Sequence, residues 1–314
     1  MVRKDLFNRI TENIGRVIIG KGDAVELALT AMICGGHVLI EDLPGMGKTM
    51  LASSLAKSLG CSFGRVQFTP DLLPSDITGF NMFDMATNQR VLYPGGIMSQ
   101  IVIADEINRA SPKTQSALLE AMQERQVTID GQTIPLPSPF MVIATQNPME
   151  FAGTYPLPES QLDRFLLRVS MGYPTFDEEM RILALHQPQT PGSAPDIAAV
   201  ASAEDVLELQ RGLSRVKVAD GVKQYIIDIA AATRSHEALE LAVSPRGSIA
   251  LMKAAMGRAI LRGRDYVLPD DVRRLAVPAL AHRCVLSSAA RARDVRIEDI
   301  LGQILTKLPV PMAL

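Results

Sequence analysis

His37-Val-Leu-Ile-Glu-Asp-Leu-Pro-Gly-Met-Gly-Lys-Thr49 carries an apolar run into a Pro/Gly loop that closes on Gly47-Lys48-Thr49. Val38–Ile40 has the composition of a buried parallel strand, and Gly45 and Gly47 let backbone N–H groups converge on phosphate oxygens. Lys48 can place a flexible ammonium on the β- and γ-phosphates, and Thr49 a hydroxyl on Mg²⁺. A helix opening at Lys48 adds the positive end of its dipole. Pro44, Gly45, Met46, Gly47, Lys48, Thr49 and Met50 therefore form the expected nucleotide-binding segment. One position departs from the pattern G-x-x-x-x-G-K-[ST]: glycine is expected at 42, and the chain has Asp42, a carboxylate close to the expected triphosphate.

A second segment supplies the acids. Ile101-Val-Ile-Ala-Asp-Glu106 is a short apolar run ending in adjacent carboxylates, which a parallel sheet would deliver to its carboxyl edge beside the end of the 37–41 strand. Asp105 is expected to hold Mg²⁺, directly or through water, and Glu106 to polarise the attacking water as general base.

Composition sets the class. The 314 residues suit two domains, and 47% hydrophobic content can bury a large core. A formal net charge of −2 argues against a broad nucleic-acid footprint, and the cluster Arg273, Arg274, Arg283, Arg291, Arg293 and Arg296 reads more simply as a solvated helix face or subunit contact. Cys34, Cys61 and Cys284 are odd in number and isolated, and the four histidines are scattered, so neither a disulfide framework nor a zinc site is assembled. The charged N-terminus and the lack of an 18-residue apolar run point to a cytoplasmic chain with no membrane span.

Periodicity divides the chain into two blocks. Helical spacing over 5–17 and 23–33 precedes strands at about 63–68, 100–105, 140–145 and 165–170, separated by helices at about 49–59 and 112–124. This predicts an α/β core over 1–172 with a mainly parallel sheet. Two insertions interrupt it: a hairpin between Gly79 and Tyr93 with Asn88-Gln89 at its tip, and a second over 126–135 turning at Asp130-Gly131. Either hairpin could touch a partner or merely cover a sheet edge. From 173 to 314 the pattern is helical, at 175–186, 203–213, 221–234, 245–262, 269–281 and 297–307, interrupted by a loop containing Pro188, Pro191, Gly192 and Pro195. A helical lid hinged to the core is the expectation.

The succession Glu41-Asp-Leu-Pro-Gly-Met-Gly-Lys-Thr49, Ala104-Asp-Glu-Ile-Asn-Arg-Ala110, Ala144-Thr-Gln-Asn-Pro148, Leu157-Pro-Glu-Ser-Gln-Leu-Asp-Arg-Phe165 and Ser244-Pro-Arg-Gly247 resembles the MoxR family of AAA+ ATPases over essentially the whole chain. That family's loop commonly reads Glu-Asp-x-Pro-Gly, which accommodates Asp42. The resemblance implies an AAA+ P-loop core with a five-stranded parallel sheet of order 5-1-4-3-2, a C-terminal all-α lid, and ATP with Mg²⁺ as cofactors. It also implies a homo-oligomeric, hexameric ring acting on a protein client, as a chaperone or in metal-cofactor insertion, often one with a von Willebrand factor A domain.

The resemblance places further residues. Asn147 would orient the lytic water or touch the γ-phosphate, although an Asn before Pro148 also suits a turn. Arg164 resembles the arginine finger that reaches a neighbouring subunit's γ-phosphate, with Arg168 as a rival. Arg246 matches the lid arginine that senses nucleotide: Ser244 is a good N-cap and Pro245 a good first helical residue, so the helix dipole disfavours a cation at 246 unless an anion holds it. Ile19 and Gly20, in Val17-Ile-Ile-Gly-Lys21, resemble the adenine-pocket segment. The alternatives are a nucleic-acid motor of the same class, which would need a basic pore or an added DNA-binding domain, a chelatase-type ATPase subunit, and a slowly hydrolysing switch, against which Asp105, Glu106 and Arg164 argue.

Overall fold

The apolar runs around the phosphate loop pair into one parallel sheet because their alternate residues find apolar cover on both faces. The structure, a computed structural model, describes residues 2–86, 88–147, 153–186 and 197–311. In chain order the first part comprises α1 (Val2–Gly15), α2 (Gly22–Ile33), β1 (Val38–Glu41), α3 (Lys48–Ser58), β2 (Phe63–Gln67), α4 (Pro74–Thr78), β3 (Gly79–Asp84), β4 (Gln89–Pro94) and β5 (Ile101–Asp105). Then come α5 (Pro112–Glu124), β6 (Gln126–Ile129), β7 (Gln132–Pro135), β8 (Met141–Gln146), α6 (Glu159–Leu162) and β9 (Leu167–Val169). The helical part comprises α7 (Phe176–His186), α8 (Ala203–Gly212), α9 (Asp220–Arg234), β10 (Leu239–Leu241), α10 (Pro245–Leu261), α11 (Pro269–Leu280), β11 (Val285–Leu286), α12 (Ser288–Arg291) and α13 (Ile297–Lys307). The proline-rich loop expected near 188–195 lies outside the described residues.

The sheet runs β2-β5-β8-β1-β9 with every pair parallel. Counting only its own strands, this is the expected 5-1-4-3-2. Register places Gln67 opposite Asp105 and Ile40 opposite Thr145, so the ends of β2, β5, β8 and β1 share one carboxyl edge. That edge is where such sheets hold ligands.

Two apolar clusters flank the sheet. Val38, Ile40, Ile101, Ile103, Met141, Ile143, Leu167 and Val169 join α1, α2, α3 and the C-terminal helices, while Leu39, Val102, Ala104, Val142 and Ala144 join α5. The period of two along each strand makes this division. The C-terminal helices are therefore continuous with the α1–α2 flank. Small residues allow the approach: a Cβ on Gly257 of α10 would stand 2.4 Å from Cys34 Sγ. Ion pairs lock it, with Arg258 and Arg262 of α10 and its C-cap on Glu26 of α2 at 3.0 and 2.7 Å. The helical part thus grips the α1–α2 flank of the sheet.

The two hairpins differ. Val127 and Ile129 of β6 are buried against the α5 side, so the β6–β7 hairpin covers that face. The β3–β4 hairpin stacks Phe80 on Tyr93 with ring centroids 5.6 Å apart, and it leaves Phe80, Met82, Phe83, Met85, Val91, Leu92 and Tyr93 exposed.

Candidate active site

Gly47 begins the phosphate cradle. It takes φ +83°, a left-handed conformation that costs glycine little, and no side chain caps α3 at its N-terminus. The N–H groups of the first turn of α3 can therefore serve an anion. Lys48 Nζ donates to the Asp42 carbonyl at 2.5 Å, and burial lowers its pKa against the opposing pull of Asp42, Asp105 and Glu106.

Asp42 does not confront the phosphates. Its Oδ2 accepts from the backbone N–H groups of Met171 and of Gly172 (3.0 Å) and from Ser170 Oγ (3.2 Å). The carboxylate that interrupts the glycine pattern ties the phosphate loop to the chain leaving β9, which explains why an acid is tolerated there.

The acids stand where the sheet register delivers them. Asp105 is buried; its Oδ2 accepts from Thr49 Oγ1 at 3.4 Å and Arg65 Nε at 2.9 Å, and its Oδ1 from Thr145 Oγ1 at 3.4 Å. Glu106 sits at φ +56°, an uncommon conformation for a non-glycine residue that is found at functional sites. Its N–H donates to Thr145 Oγ1 at 2.9 Å, and its Oε2 accepts from Gln67 Nε2 at 2.9 Å and Arg109 at 3.0 Å. Pro44 through Met50, Arg65, Gln67, Asp105, Glu106, Thr145 and Asn147 line one open cleft of about 430 Å³. A hydroxyl and a carboxylate in contact form an oxygen donor set that suits Mg²⁺, which keeps most of its shell for water and phosphate. Thr49 and Asp105 would hold it, and it would neutralise charge developing on the phosphate oxygens.

An apolar pocket of about 300 Å³ adjoins the loop, lined by Val17, Ile18, Ile19, Lys21, Met46, Met50, Met171, Pro174, Ile182 and Leu185 among others. Its size and lining suit a flat heteroaromatic base. Ile19 is part of the wall. Gly20 is not among the lining residues: at φ +74° a Cβ there would run into the Glu178 carboxylate, which with Thr175 closes the capping box of α7.

Arg164 and Arg168, of which one was expected to reach a neighbouring subunit, and Arg246 all lie apart from the phosphate loop. Arg164 precedes β9 and donates to the Leu119 carbonyl at 2.7 Å, so it lies at the amino edge of the parallel sheet, opposite the phosphate loop. Arg246 occupies the first turn of α10 after the Ser244 cap, as expected, but its side chain is 83% exposed and its nearest acid is Asp163, at 4.0 Å. Among the described residues nothing beyond Leu185 lines either pocket. Packing against α2 therefore holds α10, and Arg246 with it, away from the two pockets that adjoin the phosphate loop. Arg168 is committed internally, to Glu41 at 2.9 Å and to Glu298.

Sequence reading missed Arg65, Gln67, Thr145 and the wall residues Met171, Pro174, Ile182 and Leu185. The signal for Arg65 and Gln67 was present, two polar residues at alternate positions on a strand beside the acids. The signal for the wall was absent, because α7 is brought to it only by tertiary packing.

The model of the ATPase family associated with various cellular activities matches residues 37–167, and that of the AAA lid domain matches 231–304. Chaperone MoxR1 of Mycobacterium tuberculosis is 40% identical over 95% of this chain and 80% of its own. The chain belongs to the MoxR family of AAA+ ATPases. It is an ATP-hydrolysing enzyme, and its α/β core and C-terminal helical lid are those of the family. The uncharacterized protein YeaC of Bacillus subtilis is 51% identical over 98% of this chain and 95% of its own. The crystal structure of a candidate ATPase from Cytophaga hutchinsonii superposes with TM-score 0.91 at 34% identity, covering 99% of this chain and 96% of that one. No helix among the described residues of this MoxR-family chain is long and apolar enough to cross a membrane.

Proposed function

We propose that this enzyme hydrolyses Mg-ATP in a ring of identical subunits, hexameric as the family resemblance implies, and spends the energy on remodelling a protein client in the cytoplasm. Residues 1–172 form the nucleotide-holding core and 173–314 the lid. Pro44–Met50 and Lys48 hold the triphosphate, Ile19 and Gly20 border the base, and Thr49 and Asp105 hold the metal. Glu106 takes the proton of the attacking water, Asn147 orients that water, and ADP and phosphate leave.

The observation that carries the ring is the placement of Arg164 and Arg246. Arg164 lies at the amino edge, donating to the Leu119 carbonyl, and the exposed Arg246 stands 4.0 Å from Asp163; neither lines the phosphate cleft of its own chain. A second subunit presenting its loop to that edge would receive both as charge-stabilising donors. The exposed β3–β4 hairpin supports a polypeptide client, a von Willebrand factor A domain protein in keeping with the resemblance, and one relative is named a chaperone. Near-neutral charge disfavours the nucleic-acid motor.

Complementation tests the ring. Arg164→Ala should bind ATP and be nearly inactive alone, and Glu106→Gln likewise; subunit-exchanging mixtures should regain activity, because some interfaces pair an intact Glu106 with an intact Arg164. No recovery would refute action in trans. Shortening β3–β4 at Asn88-Gln89 should weaken capture of the client by ATP-loaded Glu106→Gln and leave ATP affinity unchanged. DNA or RNA retained by that trap at moderate salt, where nonspecific binding falls steeply, would favour the nucleic-acid motor.

A further inference from the structure

β2 is an edge strand of the sheet, and two of its side chains are not used for packing. Arg65 and Gln67, two residues apart, share a face and both line the phosphate cleft. Arg65 is 55% exposed, yet its Nε stays 2.9 Å from Asp105 Oδ2, the oxygen that also accepts from Thr49. A second donor of the same guanidinium reaches Gln67 Oε1 at 3.3 Å. A half-exposed arginine with its remaining donors in a cleft that already contains Lys48 has both the freedom and the reach to change partner.

The proposal rests on the ATP reading of this cleft. We propose that Arg65 is a ligand for the terminal phosphate of the nucleotide held by its own chain. Mg²⁺ and a guanidinium compete for the same Asp105 oxygen, so a loaded site disfavours the Arg65–Asp105 pair by like-charge repulsion. The terminal phosphate is the anion nearest to the acids, and a planar fork of donors matches its oxygens where Lys48 supplies only a point charge. Because Arg65 stands beside Asp105 and not beside the loop glycines, it reads the end of the triphosphate. It therefore separates ATP from ADP.

Isothermal titration calorimetry of ATP and of ADP, each with Mg²⁺ and with EDTA, on wild type, Arg65→Ala and Arg65→Lys tests this. Arg65→Ala should lose about tenfold or more in ATP affinity and less than about twofold for ADP, the scale of one charge-assisted hydrogen bond. Arg65→Lys should fall between, and the ATP-specific loss should persist in EDTA. An equal loss for both nucleotides, an unchanged ATP preference, or a loss confined to Mg²⁺ would overturn the assignment, the last by making Arg65 a holder of Asp105. Wild type that binds neither nucleotide would overturn the cleft reading and this assignment together; wild type that prefers ATP over ADP leaves Arg65 alone on trial.

Discussion

At the carboxyl edge of the sheet, each charge is answered by another group of the same chain: Asp105 by Arg65 and Thr49, Glu106 by Gln67 and Arg109, and Lys48 by the Asp42 carbonyl. At the amino edge, Asp163 is engaged by the buried Arg283, and Arg246 reaches it only at 4.0 Å from an exposed position. The first edge is a receptor built for a ligand; at the second, Arg246 stands exposed. Arg164 and Arg246 thus stand the full length of the strands away from Lys48, Asp105 and Glu106.

The strongest test of the receptor edge is removal of its chemistry. Glu106→Gln should keep ATP affinity and lose at least about a hundredfold in turnover, the low end of general-base contributions. Lys48→Ala should lose binding as well. Normal hydrolysis by Glu106→Gln in single-turnover assays would move the base elsewhere.

The amino edge should behave in the opposite way. Arg246→Ala should leave nucleotide affinity of the dilute, unassembled chain unchanged and cut turnover of the assembled enzyme by about tenfold or more, the scale of a lost charge-assisted contact. Arg168→Ala, which breaks a pairing inside the chain, should lower thermal stability. Adding Glu106→Gln subunits should not restore activity to it.

Acid sharpens the contrast from the stability side. His37 is buried at the start of β1, with Nδ1 accepting from Val142 N–H (2.9 Å) and Nε2 against the Met122 carbonyl (3.0 Å); His282 is buried with Nε2 against the Phe165 carbonyl. Burial lowers both to about 4 from 6.5. Folded pKa values below the unfolded value mean that the unfolded chain takes up protons first. The stability these neutral rings contribute is complete above pH 6.5 and fades as pH falls toward 4, by on the order of 3 kcal/mol each. Urea titrations across that window check it; His37→Gln should flatten the slope.

The smallest effect concerns the interrupted glycine pattern. Asp42→Gly restores the glycine, yet it removes the acceptor of three donors at the exit of β9 and should cost about 1–2 kcal/mol by denaturant unfolding. A gain in stability would mean that Asp42 strains the loop.

Local chemistry made much of this legible. The Gly47-Lys48-Thr49 ending, the Asp105-Glu106 pair after an apolar run, the Asp130-Gly131 turn and the Ser244-Pro245 helix start depend on residues adjacent in sequence, so their conformations and chemistry are encoded where they stand. Unbroken apolar runs likewise marked the strands that are buried on both faces. Only tertiary structure decided which element meets which. Arg65 reaches Asp105 because β2 pairs with β5 forty residues on; α7 walls the apolar pocket beside the loop because Glu178 packs under Gly20; and α10 carries Arg246 to the amino edge because Gly257 and Arg258 fit against α2. Those contacts depend on long-range packing and ion pairing that no local pattern records. A sequence reading therefore identified the charged residues and their chemistry, and the fold determined on which side of the molecule each one acts.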